Sequence, residues 1–212
     1  MKIGILGSGA VGKALAEGFS RFQYEVMMGS RNPEKLNEFK EKFQNIRVGD
    51  LEDTAKFGEL LVLCVKWDGI ENVINLAGKK NFVDKVVIDV TNPLKFDEEG
   101  KPPKLSLAYP ESGGKKIQEI LSDSKVVKAF NIVTASYMAN PKLEEGVPDM
   151  FIVGNNKEAK LTVAKIARNW GWSVHDLGNI NQSYLLEALA MTWIRYGFIN
   201  KYWQHAFKLL KK

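Results

Sequence analysis

The chain begins with the stretch MKIGILGSGAVG, residues 1–12, in which a short apolar run is followed at once by three glycines. Residues 2–6 have the composition of a buried β-strand. Gly7, Gly9 and Gly12 then match the pattern G-x-G-x-x-G, and apolar residues recur beyond them at helical spacing. A strand, a glycine-rich turn and a helix in this order are typical of the unit that binds dinucleotides.

Each glycine of this turn has an expected role. Gly7 makes the tight turn, Gly9 lets the backbone approach a pyrophosphate, and Gly12 lets the helix pack closely on the strand. The phosphates would meet the free N–H groups at the positive end of the helix dipole. The other residues predicted to line the pyrophosphate are Ser8, Ala10 and Val11.

The end of the second predicted strand, residues 25–28, distinguishes the two nicotinamide nucleotides. NAD enzymes place a carboxylate roughly 20 residues after the glycines, where it holds the ribose 2′-hydroxyl. This chain has Ser30 and Arg31 there instead, with Lys35 one turn further along. A hydroxyl and two cations favour a 2′-phosphate, so the sequence predicts NADP(H). The alternative is a solvated turn before a helix.

The rest of the chain alternates short apolar runs with longer amphipathic segments, which predicts parallel strands joined by crossover helices. We expect an α/β fold of the Rossmann type, a doubly wound and mostly parallel sheet with helices on both faces, in a single domain over residues 1–212. Residues 94–114 form a long connection that could close over the site as a lid. Residues 180–212 are predicted to be a helical, aromatic-rich segment that contacts a second subunit or a second cofactor.

Ligands of such folds lie beyond the carboxyl ends of the parallel strands. Val65 and Lys66 follow one predicted strand, Asn92 follows the next, and Asn131 and Thr134 follow a third. The two asparagines could hydrogen-bond the carboxamide or ribose in the nicotinamide half of the nucleotide. They could equally cap their own turns.

Other candidate reactive groups are few. Cys64 is expected to be a small buried hydrophobe, and His175, far from the glycine-rich turn in the chain, is expected to be structural. No metal-ligand spacing and no Ser–His–carboxylate set is recognisable. Hydride transfer between a nicotinamide and a flavin-type ring needs no general acid or base from the protein, so this scarcity favours a reaction between two cofactors. Asn131 and Thr134 would then position the rings, and no residue is assigned a direct chemical role.

The composition argues against several classes of protein. With 30 basic and 25 acidic residues the formal net charge is +5, but both signs are interspersed, so we expect no nucleic-acid partner. No apolar run reaches the ~18 residues of a membrane span, and Met1 leads directly into the first strand without a signal peptide. The single cysteine allows no intrachain disulfide. We expect a cytoplasmic protein, without a membrane partner, that acts on a small-molecule redox partner.

Several motifs together resemble the NADPH-dependent coenzyme F420 (deazaflavin) reductases, the F420-dependent NADP oxidoreductases. They are residues 1–12, 29–31 with Lys35, 66–67, 112–121, 126–135, 176–178 and 187–189, and they extend over nearly the whole chain. Residues 128–131 are also similar to the NADPH-binding domain of membrane ferric reductases, which pass electrons to a flavin.

The resemblance implies that NADP(H) is held by the pyrophosphate and 2′-phosphate residues named above. F420 or a flavin would lie against the nicotinamide near residues 131–135, and the resemblance also implies a homodimer. The deazaflavin reductases carry His where this chain has Asn131 and Pro where it has Thr134, and Asn131 matches the flavin-using relatives better. The resemblance therefore predicts hydride transfer between NADP(H) and either F420 or a flavin.

Two other functions are compatible with the sequence. One is a reductase of a small carbon substrate such as an imine or a 3-hydroxy acid. Those enzymes append a substantial helical domain, whereas ~25–30 residues of predicted helix follow the α/β part here, below the usual size of a domain. The other is a non-catalytic NADP-sensing module, for which the aromatic segment at residues 193–207 would be a docking surface.

Overall fold

The computed structural model of the protein describes residues 1–210. The strands in this range are β1 Lys2–Leu6, β2 Glu25–Gly29, β3 Ile46–Gly49, β4 Leu60–Leu63, β5 Val86–Asp89, β6 Leu94–Lys95, β7 Lys104–Leu105, β8 Lys125–Lys128, β9 Asp149–Gly154 and β10 Ser173–Asp176. The α-helices are α1 Ala10–Arg21, α2 Asn37–Lys42, α3 Leu51–Phe57, α4 Ile70–Ala77, α5 Gly113–Ile120, α6 Ala135–Met138, α7 Lys157–Asn169 and α8 Ser183–Asn200. Four 3₁₀ turns within the same residues span Pro33–Leu36, Trp67–Gly69, Lys79–Phe82 and Ile180–Gln182.

Eight of these strands form one sheet in the order β10-β9-β8-β5-β4-β1-β2-β3. All neighbouring strands are parallel except β8 and β9, which are antiparallel. The chain builds outward from β1 to β3 and then returns to place β4 on the other side of β1. Ligands of open α/β sheets bind in the crevice at such a switch point. The prediction of a Rossmann-type, mostly parallel sheet is confirmed.

Helices cover both faces of the sheet, and each central strand feeds two cores. In β4, Leu60 and Val62 belong to the core on one face, while Leu61 and Leu63 belong to the core on the other. Because successive side chains of a strand point to opposite faces, a strand buried on both sides is mostly apolar, as β4 is. Each such side chain contributes roughly 1.5–3 kcal/mol through burial.

The prediction that residues 180–212 are helical is wrong for the end of this segment. Helix α8 ends at Asn200, Lys201 has a left-handed φ of +50°, and residues 202–210 contain no helix. Residues 211–212 lie outside the described residues. The aromatic composition of the segment reflects packing on α8 rather than a continued helix.

Residues 202–210, which we call the tail, do not continue the helix because they pack against α8. A Cβ on Gly197 would lie 2.6 Å from the ring of Trp203, so the absence of a side chain at Gly197 lets the tail approach. The indole of Trp193 then donates to the carbonyl of His205 at 2.8 Å. The backbone N–H of Asp149 donates to the carbonyl of Phe207 at 2.9 Å, which attaches the tail to β9.

Candidate nucleotide site

The carboxyl ends of five neighbouring strands form one row at an edge of the sheet. The register aligns Leu6 of β1 with Gly29 of β2 and with Leu63 of β4. Leu63 is aligned in turn with Asp89 of β5, and Asp89 with Lys128 of β8. The turns that follow these strands therefore lie side by side. Every residue predicted to bind a cofactor lies in or just after one of these turns.

The glycine-rich turn follows β1, and its three glycines have different surroundings. Gly7 has a φ of +135°, and a Cβ there would lie 2.5 Å from the carbonyl oxygen of Cys64. A Cβ on Gly12 would lie 2.1 Å from the carbonyl oxygen of Gly7. A Cβ on Gly9 would meet nothing within 4 Å among the described residues. Two glycines thus allow close packing, whereas Gly9 faces open space.

The first turn of α1 has free hydrogen-bond donors. Among residues 1–210, no side chain caps the N-terminus of α1 at Gly9, and its first turn contains no acidic residue. Ala10 is exposed and Val11 half-buried, so the start of the helix is accessible. Uncapped N–H groups at the positive end of a helix dipole are suited to bind phosphate.

The turn after β2 joins a buried hydroxyl to exposed cations. Ser30 is buried, and its Oγ accepts hydrogen bonds from the Oγ of Ser8 and from the backbone N–H of Asn32, both at 3.2 Å. Because both donors point toward Ser30, its own hydroxyl hydrogen is free to bind a further acceptor. Arg31 and Lys35 are exposed. This turn therefore presents one hydroxyl donor with two cations nearby.

The turn after β4 contains Cys64, Val65 and Lys66. The Sγ of Cys64 lies 3.4 Å from the carbonyl oxygen of Leu6, and burial raises the pKa of this thiol to about 12. Since the thiolate is the reactive form, Cys64 is an inert, buried side chain, as expected. Val65 is half-buried beside Gly7, and Lys66 is exposed before the 3₁₀ turn.

The turns after β5 and β8 are joined by a pair of asparagines. The side-chain N–H of Asn131 donates to Asn92 Oδ1 at 2.9 Å, and Asn92 Nδ2 donates to the backbone carbonyl of Asn131 at 2.8 Å. Asn131 Nδ2 also donates to the carbonyl of Leu186 in α8 at 3.0 Å. Within the part of the chain that the structure describes, Asn131 Oδ1 is buried and has no hydrogen-bond partner. A buried acceptor without a partner is uncommon.

The segment after β8 holds Asn131 in an uncommon backbone turn. Phe130 has a left-handed φ of +61°, and its ring packs against Trp170 with the ring centroids 5.3 Å apart. A bulky residue with a positive φ is strained, and such strain is concentrated at functional sites. Thr134 is half-buried at the start of α6. The turn therefore has a fixed shape that the packing of Phe130 maintains.

Three charged residues that sequence reasoning missed form a buried cluster next to the turns that carry this pair. Asp89 ends β5, Lys128 ends β8, and Glu187 lies in α8, and all three side chains are buried. Lys128 Nζ lies 2.8 Å from Asp89 Oδ2 and 3.1 Å from Glu187 Oε1. Burial lowers the pKa of Lys128, but the two carboxylates outweigh it and hold the pKa above its ordinary value. The signal in the sequence was a charged residue at the end of two apolar runs, Asp89 and Lys128, with an acidic residue in the mostly apolar segment of α8.

The long connection at residues 94–114 contains a small hairpin, β6 paired with β7. The carbonyl of Pro93, just before the connection starts, accepts from the backbone N–H of Ser106 at 2.7 Å. At its end, the N–H groups of Gly113 and Gly114 donate to Glu187. Both ends are thus attached close to the asparagine pair, and closure of this connection as a lid stays a prediction.

Other candidate groups lie away from this row. His175 lies in the edge strand β10, with its Nε2 3.0 Å from Asp149 Oδ1, which agrees with a structural role. Within residues 1–210, no group of three or more His, Cys, Asp or Glu side chains is placed to hold a metal ion. None of the helices described in this range has the length and apolar character needed to cross a membrane.

A doubly wound sheet with an uncapped, glycine-rich turn at its switch point defines a Rossmann-fold dinucleotide-binding protein. The sequence model of one such family, the coenzyme F420-dependent NADP oxidoreductases, matches residues 2–93. The F420-dependent NADP reductase of Methanocaldococcus jannaschii is 30% identical over 202 residues, which cover 89% of this chain and 89% of that protein. The chain belongs to the family of F420-dependent NADP oxidoreductases.

Two further similarities extend this result. The crystal structure of a provisionally assigned F420-dependent NADP reductase from Arthrobacter sp. FB24 superposes with a TM-score of 0.94 at 30% identity, covering 100% of both chains. The human metalloreductase STEAP2 is 28% identical over 191 residues, which cover 89% of this chain and 36% of that protein. The chain thus spans about a third of the length of the metalloreductase.

Proposed function

We propose that the chain transfers a hydride between NADP(H) and a deazaflavin of the F420 type. The observation that carries the proposal is the row of turns at the carboxyl edge of the sheet. Along this row, free backbone donors after β1 lie between a hydroxyl with two cations after β2 and an unpartnered buried amide oxygen after β8. The order of these groups along the row matches the order of 2′-phosphate, pyrophosphate and nicotinamide in NADP. The choice of F420 follows the relatives, two of which are named for it.

The phosphates of NADP(H) would be held at the adenosine end of the row, which we define as residues 7–12 and 30–35. The N–H groups of residues 9–11 would donate to the pyrophosphate, since Gly9 leaves room for it. The hydroxyl of Ser30 would donate to the 2′-phosphate, and Arg31 would pair with it as a fork. Lys35 adds a second nearby cation. A carboxylate at Ser30 or Arg31 would instead repel this phosphate.

The nicotinamide would lie at the other end of the row, which we define as residues 92 and 128–134 together with Glu187. The carboxamide of the ring has an N–H donor, and the Oδ1 of Asn131 is a buried acceptor that lacks one. Asn92 holds Asn131 in place through two hydrogen bonds. Val65, Lys66 and Thr134 lie at the flanking turns and would border the ring.

When bound, NADPH supplies a hydride from C4 of its ring, and the deazaflavin gains that hydride together with a proton from water. The chain's part is to hold the two rings with the reacting atoms about 3–3.5 Å apart and to exclude water between them. Asn131 and Thr134 would fix the ring from the sheet side. No proton has to be moved by a side chain, which fits the inert thiol of Cys64 in the middle of the row.

A flavin is the second candidate acceptor, and Asn131 is the observation that favours it. The deazaflavin reductases carry His at this position, whereas the flavin-using relatives match Asn131. A homodimer, a single domain over residues 1–212 and a cytoplasmic location stay predictions from the sequence.

The test is anaerobic oxidation of NADPH by the purified protein with F420, FMN, FAD or ferric citrate offered in parallel. We expect rapid reduction of F420. Rapid reduction of FMN or FAD without reduction of F420 would replace F420 with the second candidate. NADPH oxidation by none of the four would contradict hydride transfer to a flavin-type ring.

Two variants link this activity to the row. Asn131→Ala should lower kcat about tenfold, because a misplaced ring loses about 1.4 kcal/mol of transition-state stabilisation. Asn140→Ala is the matched control, since Asn140 is an exposed asparagine just after α6, and it should keep the activity. Equal activity of the two variants would remove Asn131 from the ring site.

A further inference from the structure

The buried charges at the nicotinamide end form one closed network. Lys128 Nζ donates to Asp89 Oδ2 at 2.8 Å and to the carbonyl of Thr91 at 2.7 Å, and it lies 3.1 Å from Glu187 Oε1. The other oxygen of Asp89 accepts from both the N–H and the hydroxyl of Thr91, at 2.8 and 2.7 Å. All three donors of the ammonium group are therefore used, as a buried cation requires.

Glu187 connects this network to the end of the long connection. Its Oε2 accepts from the N–H of Gly113 and its Oε1 from the N–H of Gly114, both at 3.1 Å, at the start of α5. The negative charge of Glu187 also lies at the positive end of that helix dipole. A Cβ on Gly114 would lie 2.2 Å from the hydroxyl of Ser183, so the glycine is what lets α5 approach α8.

The same network holds residues next to those that bind Asn131. Asn92, which holds Asn131 by two hydrogen bonds, directly follows Thr91, whose carbonyl and N–H are both bound by the network. The carbonyl of Leu186, which accepts from Asn131, directly precedes Glu187 in α8. Both residues that hydrogen-bond to Asn131 are therefore adjacent in the chain to a residue of the charged network.

We infer that Glu187 is a positioning residue, which with Lys128 fixes α8 and the turn after β5 so that the Oδ1 of Asn131 faces the nicotinamide carboxamide. This inference rests on the proposed function and deepens it. The contacts of Glu187 are with Lys128, Gly113 and Gly114, and none of these residues belongs to the adenosine end of the row. Its effect should therefore be confined to the nicotinamide half of the ligand.

The test compares two ligands that differ in that half. NADPH carries the nicotinamide, whereas adenosine 2′,5′-bisphosphate carries only the adenosine and its two phosphates. Both are titrated by calorimetry against the wild-type chain, Glu187→Ala and Glu187→Gln. Glu111→Ala is the matched control, because Glu111 lies at the end of the long connection, close to Gly113, but pairs at the surface with Lys115, at 2.7 Å. Circular dichroism establishes that each variant is folded.

We expect Glu187→Ala to bind NADPH about five- to tenfold more weakly, the effect of one lost hydrogen bond, and to bind the bisphosphate as the wild type does. Glu187→Gln keeps one carbonyl acceptor for a glycine N–H, so it should lose less affinity for NADPH. The Gln variant also carries the test if the Ala variant does not fold. The control should bind both ligands normally.

Two results would overturn the inference. Equal weakening of both ligands in the Glu187 variants would mean that the network only stabilises the fold, and unchanged binding of both would mean that Asn131 does not depend on it. These outcomes differ from failure of the proposed function, which would be seen in the wild-type chain itself, either as no binding of NADPH or as no reduction of F420, FMN, FAD or ferric citrate.

Discussion

The two ends of the row are built in opposite ways. At the adenosine end the charged groups, Arg31 and Lys35, are exposed, and Gly9 faces open space. At the nicotinamide end, Lys128 and Glu187 are buried, and their polar atoms are bound to other parts of the chain. One end has exposed charges, and at the other end the charges are buried and paired with each other.

This difference indicates a division of labour between the two ends. Exposed cations can bind and release a phosphate with little reorganisation, and each contributes mainly affinity. A buried, fully paired cluster is costly to disturb and holds its neighbours in one arrangement. We therefore expect changes at the adenosine end to alter nucleotide affinity and selectivity, and changes at the nicotinamide end to alter stability and ring geometry.

The largest expected effect is that of Lys128→Met on stability. Removing the ammonium leaves Asp89 and Glu187 buried without their cation, so the free energy of unfolding should fall by about 3–5 kcal/mol. Urea denaturation measures this change. Lys85→Met is the matched control. Lys85 lies just before β5, at the end of that strand opposite to Asp89, and it donates to the carbonyl of Ala55 at 2.7 Å. It should lose about 1 kcal/mol.

Similar losses for the two lysine variants would contradict the special role of the buried network. They would also remove the contrast between a closed and an open end of the row.

The glycines offer a second contrast, within the adenosine end. Gly12→Ala places a Cβ 2.1 Å from the carbonyl oxygen of Gly7, so α1 must shift and the protein should lose about 3 kcal/mol of stability. Gly9→Ala meets nothing within 4 Å among the described residues, so its stability should stay near that of the wild type. It should nevertheless bind NADPH more weakly, because the added methyl group lies where the pyrophosphate would approach.

Thermal unfolding and NADPH titration of the two glycine variants measure these effects. A stable Gly12→Ala variant, or a Gly9→Ala variant with normal affinity, would disagree with the arrangement of the turn.

A smaller effect is expected for Arg31→Ala. Loss of the charge-assisted fork should weaken NADPH binding by about 2 kcal/mol and leave NADH binding almost unchanged, since NADH lacks the 2′-phosphate. Fluorescence titration with both nucleotides measures the difference. Arg168→Ala, at an exposed arginine of α7, is the control and should change neither. If Arg31→Ala weakened the binding of both nucleotides equally, Arg31 would not be the residue that pairs with the 2′-phosphate.

The smallest effect is expected at Cys64, between the two ends. With its pKa raised to about 12 by burial, the thiol has almost no thiolate at pH 8 in the folded protein. Iodoacetamide should label it only after unfolding, as followed by mass spectrometry. Rapid labelling of the folded protein would show that the middle of the row is more open than its packing implies.

The adenosine end could be predicted from the sequence because its parts are neighbours in the chain. The glycines, Ser30 and Arg31 follow two consecutive strands, and each has its role through local backbone geometry. The sheet could be predicted for a similar reason, since continuous apolar runs such as β4 are required wherever a strand is buried on both faces.

The nicotinamide end could be predicted only in part, because its contacts join distant segments. Asn92 and Asn131 were located by their place after two strands, but their mutual hydrogen bonds were not. The ion pair between Lys128 and Glu187 requires α8 to lie close to the end of β8, which no local pattern specifies. The end of α8 at Asn200 was missed for the same reason, since Gly197 allows a tail contact that only the fold creates.

The most direct test of the account is a crystal structure of the protein with NADP⁺. The account predicts that the 2′-phosphate is hydrogen-bonded by Ser30 and paired with Arg31. It also predicts that the pyrophosphate lies on the start of α1 and that the carboxamide donates to Asn131 Oδ1. A nucleotide whose nicotinamide turns away from the turns after β5 and β8 would contradict it.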